Sequence, residues 1–242
     1  MFNIKLTIQY NGSDYSGWQT QAGNKTVQQT LTESIETITG EDVNLIGSGR
    51  TDAGVHALGQ SANFRIEQLP DLYKFKYSLN SVLPPDISVI DAVEVPPEFH
   101  ARFDAKKRKY FYLFIKYKSP FYEHFSYRYY YKLDCIYLNN LSKSFLGKKD
   151  FTSFARKASE TEEKTCTVYD ASWRDTKSFI LFFIEADRFL HGMVRTIVGT
   201  LLKAQKNYYD EKYIEEILTS KNREAAGEAV PAKGLFLYKV KY

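Results

Sequence analysis

The segment Gly47-Ser48-Gly49-Arg50-Thr51-Asp52-Ala53-Gly54-Val55-His56 brings a carboxylate, a guanidinium and an imidazole into one short, glycine-rich stretch. Glycine allows sharp turns and lets a ligand approach the main chain closely. The apolar run Val43 to Ile46 just before it reads as a short strand, and loops carried on strands are where chemistry concentrates. A carboxylate so placed can cap a turn, bind a metal, take a proton or attack as a nucleophile. No other Asp or Glu lies between Asp42 and Glu67, which argues against a carboxylate cage for magnesium or calcium and against a paired-carboxylate glycosidase. Arg50 beside Asp52 favours the ionised form, the one that attacks or removes a proton. His56 has no Ser or Cys nucleophile beside it to complete a triad, so it reads as a hydrogen-bonding brace of the loop. The segment lacks both phosphate-loop patterns, G-x-x-x-x-G-K-[ST] and G-x-G-x-x-G.

Two cationic clusters accompany it. Arg102, Lys106, Lys107, Arg108 and Lys109 lead into Tyr110 and a tyrosine-rich strand, a combination that neutralises phosphates and offers rings for bases to stack on. Arg188, His191 and Arg195 stand three and four residues apart, which predicts one basic face of a helix that also carries Gly199, a place for a backbone or ligand to approach. Charge is uneven: residues 1–100 hold 6 Lys/Arg against 12 Asp/Glu, and residues 101–242 hold 27 against 17. The second half therefore supplies most of the attraction for a polyanion.

The elements that must position these groups follow from periodicity. Phe2, Ile4, Leu6, Ile8 and Tyr10 alternate with polar residues as a strand does. Thr26-Val27-Gln28-Gln29 has capping-box form, Val27, Leu31, Ile35 and Ile38 fall on one helical face, and Gly40 is placed to end that helix. Further strands are expected at 43–46, 60–66, 109–117, 178–187 and 235–242, and helices at 71–80, 138–146, 189–202 and 210–218. The pairs Pro84-Pro85 and Pro96-Pro97 punctuate a connecting region, with a crossover near 96–105. The pattern predicts an α+β fold, with an N-terminal subdomain over 1–100 carrying the Asp52 loop and a basic C-terminal subdomain over 101–242.

Cys135 and Cys166 match no metal-ligand or disulfide spacing. The start Met1-Phe2-Asn3-Ile4-Lys5 lacks a secretion signal, and no apolar run reaches membrane-spanning length, so a cytoplasmic protein without membrane attachment is expected.

The residues match a family. Gly49-Arg50-Thr51-Asp52-Ala53-Gly54-Val55-His56-Ala57, Tyr10-Asn11-Gly12 with Gly17-Trp18-Gln19, His100-Ala101-Arg102-Phe103, Asp150-Phe151-Thr152-Ser153-Phe154, Arg188 to Arg195 and Ala229 to Leu235 occur in its order. Over its whole length the chain resembles the bacterial tRNA pseudouridine synthase A family. The resemblance implies the pseudouridine synthase fold: two α+β, ferredoxin- or RRM-like subdomains around a mixed, mainly antiparallel sheet with a central cleft. It implies isomerisation of uridine at positions 38 to 40 of the tRNA anticodon stem-loop, without cofactor or metal, by a homodimer. Asp52 would be the nucleophile, at C1′, at C6 or by a glycal route. Arg50 would hold the flipped nucleotide, Tyr110 would stack on the target base and relay the C5 proton, and Arg195 would pair with Asp52. Arg102, Lys106, Lys107, Arg108, Arg188 and His191 are the candidate RNA contacts. The sequence departs from the family pattern at Asp104, at Gly192 and in the glycine-free stretch 203–209.

Overall fold

The computed structural model describes residues 1–156 and 163–242, which form two compact units: residues 1–106 with 236–242, and residues 107–235. The expected division fell at 100/101 and gave the C-terminal strand to the second half. The chain instead changes unit at Lys106/Lys107, and its last strand returns to the first.

In the first unit, β1 (Phe2–Tyr10) buries Ile4, Leu6, Ile8 and Tyr10 on one face, as the alternation predicts. It pairs antiparallel with β3 (His56–Ile66) on one side and β4 (Ile87–Val95) on the other. The far edge of β3 is shared by β2 (Ile46–Gly47), antiparallel, and β9 (Leu235–Lys241), parallel through His56 and Ala57. With α1 (Val27–Thr39) after β1 and α2 (Leu72–Val82) after β3, this is the β-α-β-β-α-β connectivity of ferredoxin-like folds.

Thr26 caps α1 by accepting from the Gln29 amide, and the Gly40 N–H closes its end on the Glu36 carbonyl. Only the Thr half of the capping box forms, because the Gln29 side chain donates to Glu33 instead. Two expectations need correction here. The strand expected at 43–46 is only the two residues of β2, and the region between the proline pairs is the full strand β4. The prolines flank β4 rather than break it, which hid it behind turn signals.

In the second unit, β5 (Lys107–Ile115), β8 (Phe179–Ala186), β7 (Thr165–Asp175) and β6 (Gly147–Asp150) lie side by side in that order, all antiparallel. The sheet packs aromatic residues inward: Phe114 and Trp173 stack at 5.6 Å, and Trp173 meets Phe182 at 4.9 Å. Strand β7 escaped the sequence reading because a bulge between Val168 and Asp170 breaks its alternation. Helix α3 (Cys135–Ser142) ends early and gives way to a 3-10 turn at Lys143–Phe145, so 138–146 is not one helix.

Helix α4 (Met193–Lys206) starts four residues later than expected, after Gly192 at φ 73°. That left-handed conformation is one that side chains other than glycine rarely adopt, which explains the small residue at this position. Arg188 and His191 precede the helix, so they do not share a helical face with Arg195. In the stretch without glycine after α4, Tyr208 takes the left-handed conformation itself, at φ 57°. Helix α5 (Glu211–Ser220) follows. Among the described residues no helix is long and apolar enough to cross a membrane.

Candidate active site

The loop between β2 and β3 carries Asp52, and its shape is fixed by backbone contacts to residues 10–18. The Trp18 N–H donates to the Thr51 carbonyl at 3.1 Å, and the Gly54 N–H to the Tyr15 carbonyl at 3.4 Å. The Val55 N–H closes a turn on the Asp52 carbonyl at 3.1 Å, and Thr51 shares a 2.8 Å hydrogen bond with the Tyr10 hydroxyl. Gly17, at φ 95°, faces the loop so closely that a Cβ there would stand 2.6 Å from the Thr51 carbonyl oxygen. Asp52 is thus half-buried between the buried Thr51 and Val55, its main chain held from both sides.

A second group of bonds fixes the start of the loop. Gln60, fully buried on β3, accepts from the Ser48 hydroxyl at 2.7 Å and donates to the Gly49 carbonyl at 2.9 Å. A buried amide with both ends used has one rotamer and holds its partners in place. His56 accepts the Gly12 N–H on Nδ1 at 3.1 Å and stacks on Phe236 at 4.7 Å. It braces the loop, as the sequence reading expects. Arg50 is exposed and donates from Nε to the Gln19 side chain at 3.1 Å.

Tyr15 anchors the clamp from the other side. Its hydroxyl donates to Asp86 at 2.7 Å, and Lys25 lies 4.5 Å over its ring. Burial first, and the Asp86 hydrogen bond second, hold the Tyr15 phenol well above its usual range, so it stays a donor. Gln60 and Tyr15 are the residues that sequence reasoning missed. Residue type carried no signal for Gln60, whose burial is set by the strands around it.

The remaining candidates lie in the second unit, apart from Arg102 and Lys106. Tyr110 is buried on β5 with the Phe189 ring edge-on at 5.1 Å. Arg195 sits in the first turn of α4, where the helix dipole disfavours a cation. Its Nε donates to the Val230 carbonyl at 2.8 Å, and the Val230 N–H returns to the Arg195 carbonyl at 3.2 Å. Two strand positions from Tyr110, Tyr112 donates to the Pro231 carbonyl at 2.7 Å. Burial pushes the Tyr112 phenol up, while the charge of Arg195 pulls it down. Residues 230–234 therefore tie β5 to α4.

Among the basic residues, Arg102 and Lys106 are exposed. Lys107 lies 3.7 Å from Glu185 and 4.1 Å over the Tyr169 ring. Arg108 donates to the Asp187 carbonyl at 2.7 Å, and Arg188 to the Glu163 carbonyl at 3.1 Å. The His191 carbonyl accepts the Arg156 N–H at 2.9 Å. Among the described residues no group of three His, Cys, Asp or Glu is placed to hold a metal ion.

The sequence pattern described as tRNA pseudouridine synthase matches residues 6–104 and 141–242. The chain belongs to the tRNA pseudouridine synthase family. The tRNA pseudouridine synthase A of Caldicellulosiruptor saccharolyticus is 43% identical over 244 residues, covering 100% of both chains. That of Clostridium acetobutylicum is 40% identical, and tRNA pseudouridine synthase A 2 of Clostridium perfringens 41%, each covering 100% of both chains. The stretches that match the family pattern contain Arg50, Asp52, Arg102, Arg188, His191 and Arg195, while Lys106, Lys107, Arg108 and Tyr110 fall between them.

Proposed function

We propose that this chain, an isomerase of the tRNA pseudouridine synthase family, converts uridine to pseudouridine at positions 38 to 40 of the tRNA anticodon stem-loop, with Asp52 as the nucleophile. The observation that carries the reading is a single carboxylate on a loop clamped through its main chain, which fixes where the reacting residue stands. The reaction breaks the bond from C1′ to N1, turns the uracil and joins C1′ to C5. C5 loses its proton and N1 gains one, so the product is an isomer. Asp52 attacks C1′ and is displaced when the C1′–C5 bond forms, or attacks C6 and is eliminated as the C5 proton leaves, or takes the C2′ proton and returns it in a glycal route.

The base must leave its stack to reach the carboxylate. Arg50 holds the extruded nucleotide, Tyr110 stacks on the base and relays the C5 proton, and Arg195 pairs with Asp52 and keeps it charged. Arg102, Lys106, Lys107, Arg108, Arg188 and His191 contact the RNA, with Arg102 and Lys106 exposed and Lys107 and Arg108 partly engaged inside their own unit. The reading extends to a homodimer acting in the cytoplasm.

An unmodified anticodon-arm transcript tests it. Pseudouridine supports the isomerase, binding with unchanged uridine an RNA-binding module, and free uracil a hydrolase. In the same assay Tyr110→Ala is expected to lower kcat/KM by about 10- to 100-fold, the worth of one lost base stack. Tyr110→Phe keeps the ring and removes the hydroxyl, which separates stacking from proton relay. Unchanged turnover in Tyr110→Ala removes that residue from the site.

A further inference from the structure

Phe103 holds its ring 74% exposed in a turn whose backbone is anything but loose. The Asp104 N–H donates to the His100 carbonyl at 3.0 Å, and the His100 N–H to the Asp104 carboxylate at 2.8 Å. The His100 Nδ1 in turn accepts the N–H groups of Arg102 and Phe103 at 3.2 and 3.3 Å. Ala101, within the turn, is fully buried. Its N–H donates to Asn63 on β3 at 2.8 Å, and its carbonyl accepts the Tyr242 hydroxyl at 2.9 Å. Asn63 donates onward to Asn3 on β1, which reaches the carbonyls of Pro96 and Phe99. The turn is therefore pinned to the sheet by buried amides, and the exposed phenyl is presented by a rigid support.

Around that ring stand two more planar groups. The His100 imidazole lies 4.2 Å from it, tilted by 33°, and the Arg102 guanidinium 5.6 Å from its centre. Arg102 places positive charge over the ring, Lys106 follows three residues on from Phe103 and is exposed, and the acid of the cluster, Asp104, has an oxygen committed to the His100 N–H. An isolated exposed phenyl is unremarkable. A phenyl on a fixed turn, flanked by an imidazole and a guanidinium, suits an unpaired base, whose face stacks on rings and guanidinium planes while its phosphates meet nearby cations.

We propose that Phe103, braced by His100 and Arg102, is a stacking platform for an unpaired nucleobase of the RNA substrate. This rests on the proposed function for the nature of the substrate. The test measures affinity for an unmodified anticodon-arm transcript by fluorescence anisotropy, and kcat separately, in Phe103→Leu and Phe103→Trp. Leucine keeps apolar volume and loses the π face; tryptophan keeps both. Phe103→Leu is expected to weaken binding about five- to tenfold with kcat within about twofold, and Phe103→Trp to bind as the wild type does. Thermal melts should be unchanged, since the ring packs against no core.

Equal affinity of Phe103→Leu and wild type overturns the platform, as does a Phe103→Leu defect that sedimentation traces to a lost contact between copies of the chain. In those cases wild type still binds and converts the transcript. If wild type does not bind it, the proposed function falls and this inference falls with it.

Discussion

Asp52→Asn is expected to stop pseudouridine formation, lowering the single-turnover rate by at least about 10⁴-fold, the scale on which removal of a nucleophile acts. The substitution keeps size and shape, so the loop should not move. Its position is set by the Thr51 and Asp52 carbonyls and the Gly54 and Val55 N–H groups, none of which belongs to the changed side chain. Affinity for the transcript should therefore stay within about threefold, because the phosphate contacts that dominate RNA affinity are untouched. A carboxamide cannot attack C1′ or C6 at a useful rate, and it cannot take the C2′ proton that a glycal route must remove. All three routes thus predict the same loss, and trapping a covalent adduct in the wild type separates them. A variant that retained a tenth or more of the rate would show that Asp52 is a structural cap, and the isomerase reading would need another nucleophile.

Much of this site was legible before the fold was known, and the reason is local. Gly47 to His56 carries its own turn chemistry, and a carboxylate among glycines marks itself by composition. The strands with clean alternation, β1 above all, were equally plain because one face is buried from Ile4 to Tyr10, with only Phe2 at its start exposed. What the sequence hid was decided at long range. Gln60 reads as an ordinary strand residue until its amide is seen bridging Ser48 and Gly49. Tyr15 matters through a carbonyl that accepts from Gly54, and a backbone atom leaves no mark on residue type. Arg188, His191 and Arg195 have helical spacing, yet Gly192 in a left-handed conformation starts the helix after the first two. Local spacing was outvoted there by one residue's φ. Strand β4 was masked by the turn signals of its flanking prolines, and β7 by a bulge that breaks its alternation.

Gly199→Ala is the other substitution with a large expected effect, and its sign runs against helix propensity. In an open α4, alanine for glycine should stabilise by about 1 kcal/mol. Here a Cβ at 199 would stand 1.7 Å from the Glu228 carbonyl oxygen and 2.9 Å from its carbon. Both atoms are backbone, so no side chain can swing aside, and either α4 or the 227–231 segment must retreat. That segment is held to α4 by the Gly227 N–H on the Thr200 hydroxyl and by the paired Arg195 and Val230 bonds, all of which a retreat would stretch. Overpacking of this kind costs about 1–3 kcal/mol, occasionally more, which in a chain of this size lowers Tm by roughly 2–12 °C. Lys203→Ala, one turn on and exposed, is the control and should leave Tm within about 1–2 °C, the scale of an ordinary surface substitution. The more telling measurement is activity well below the melt. Because the displaced carbonyl of Val230 is the one that orients Arg195, a folded Gly199→Ala protein should still lose about tenfold in kcat with little change in RNA affinity. A raised Tm would mean that the strap yields without cost. A lowered Tm with unchanged kcat would mean that Arg195 keeps its place without Val230, and that the glycine contact serves the fold alone.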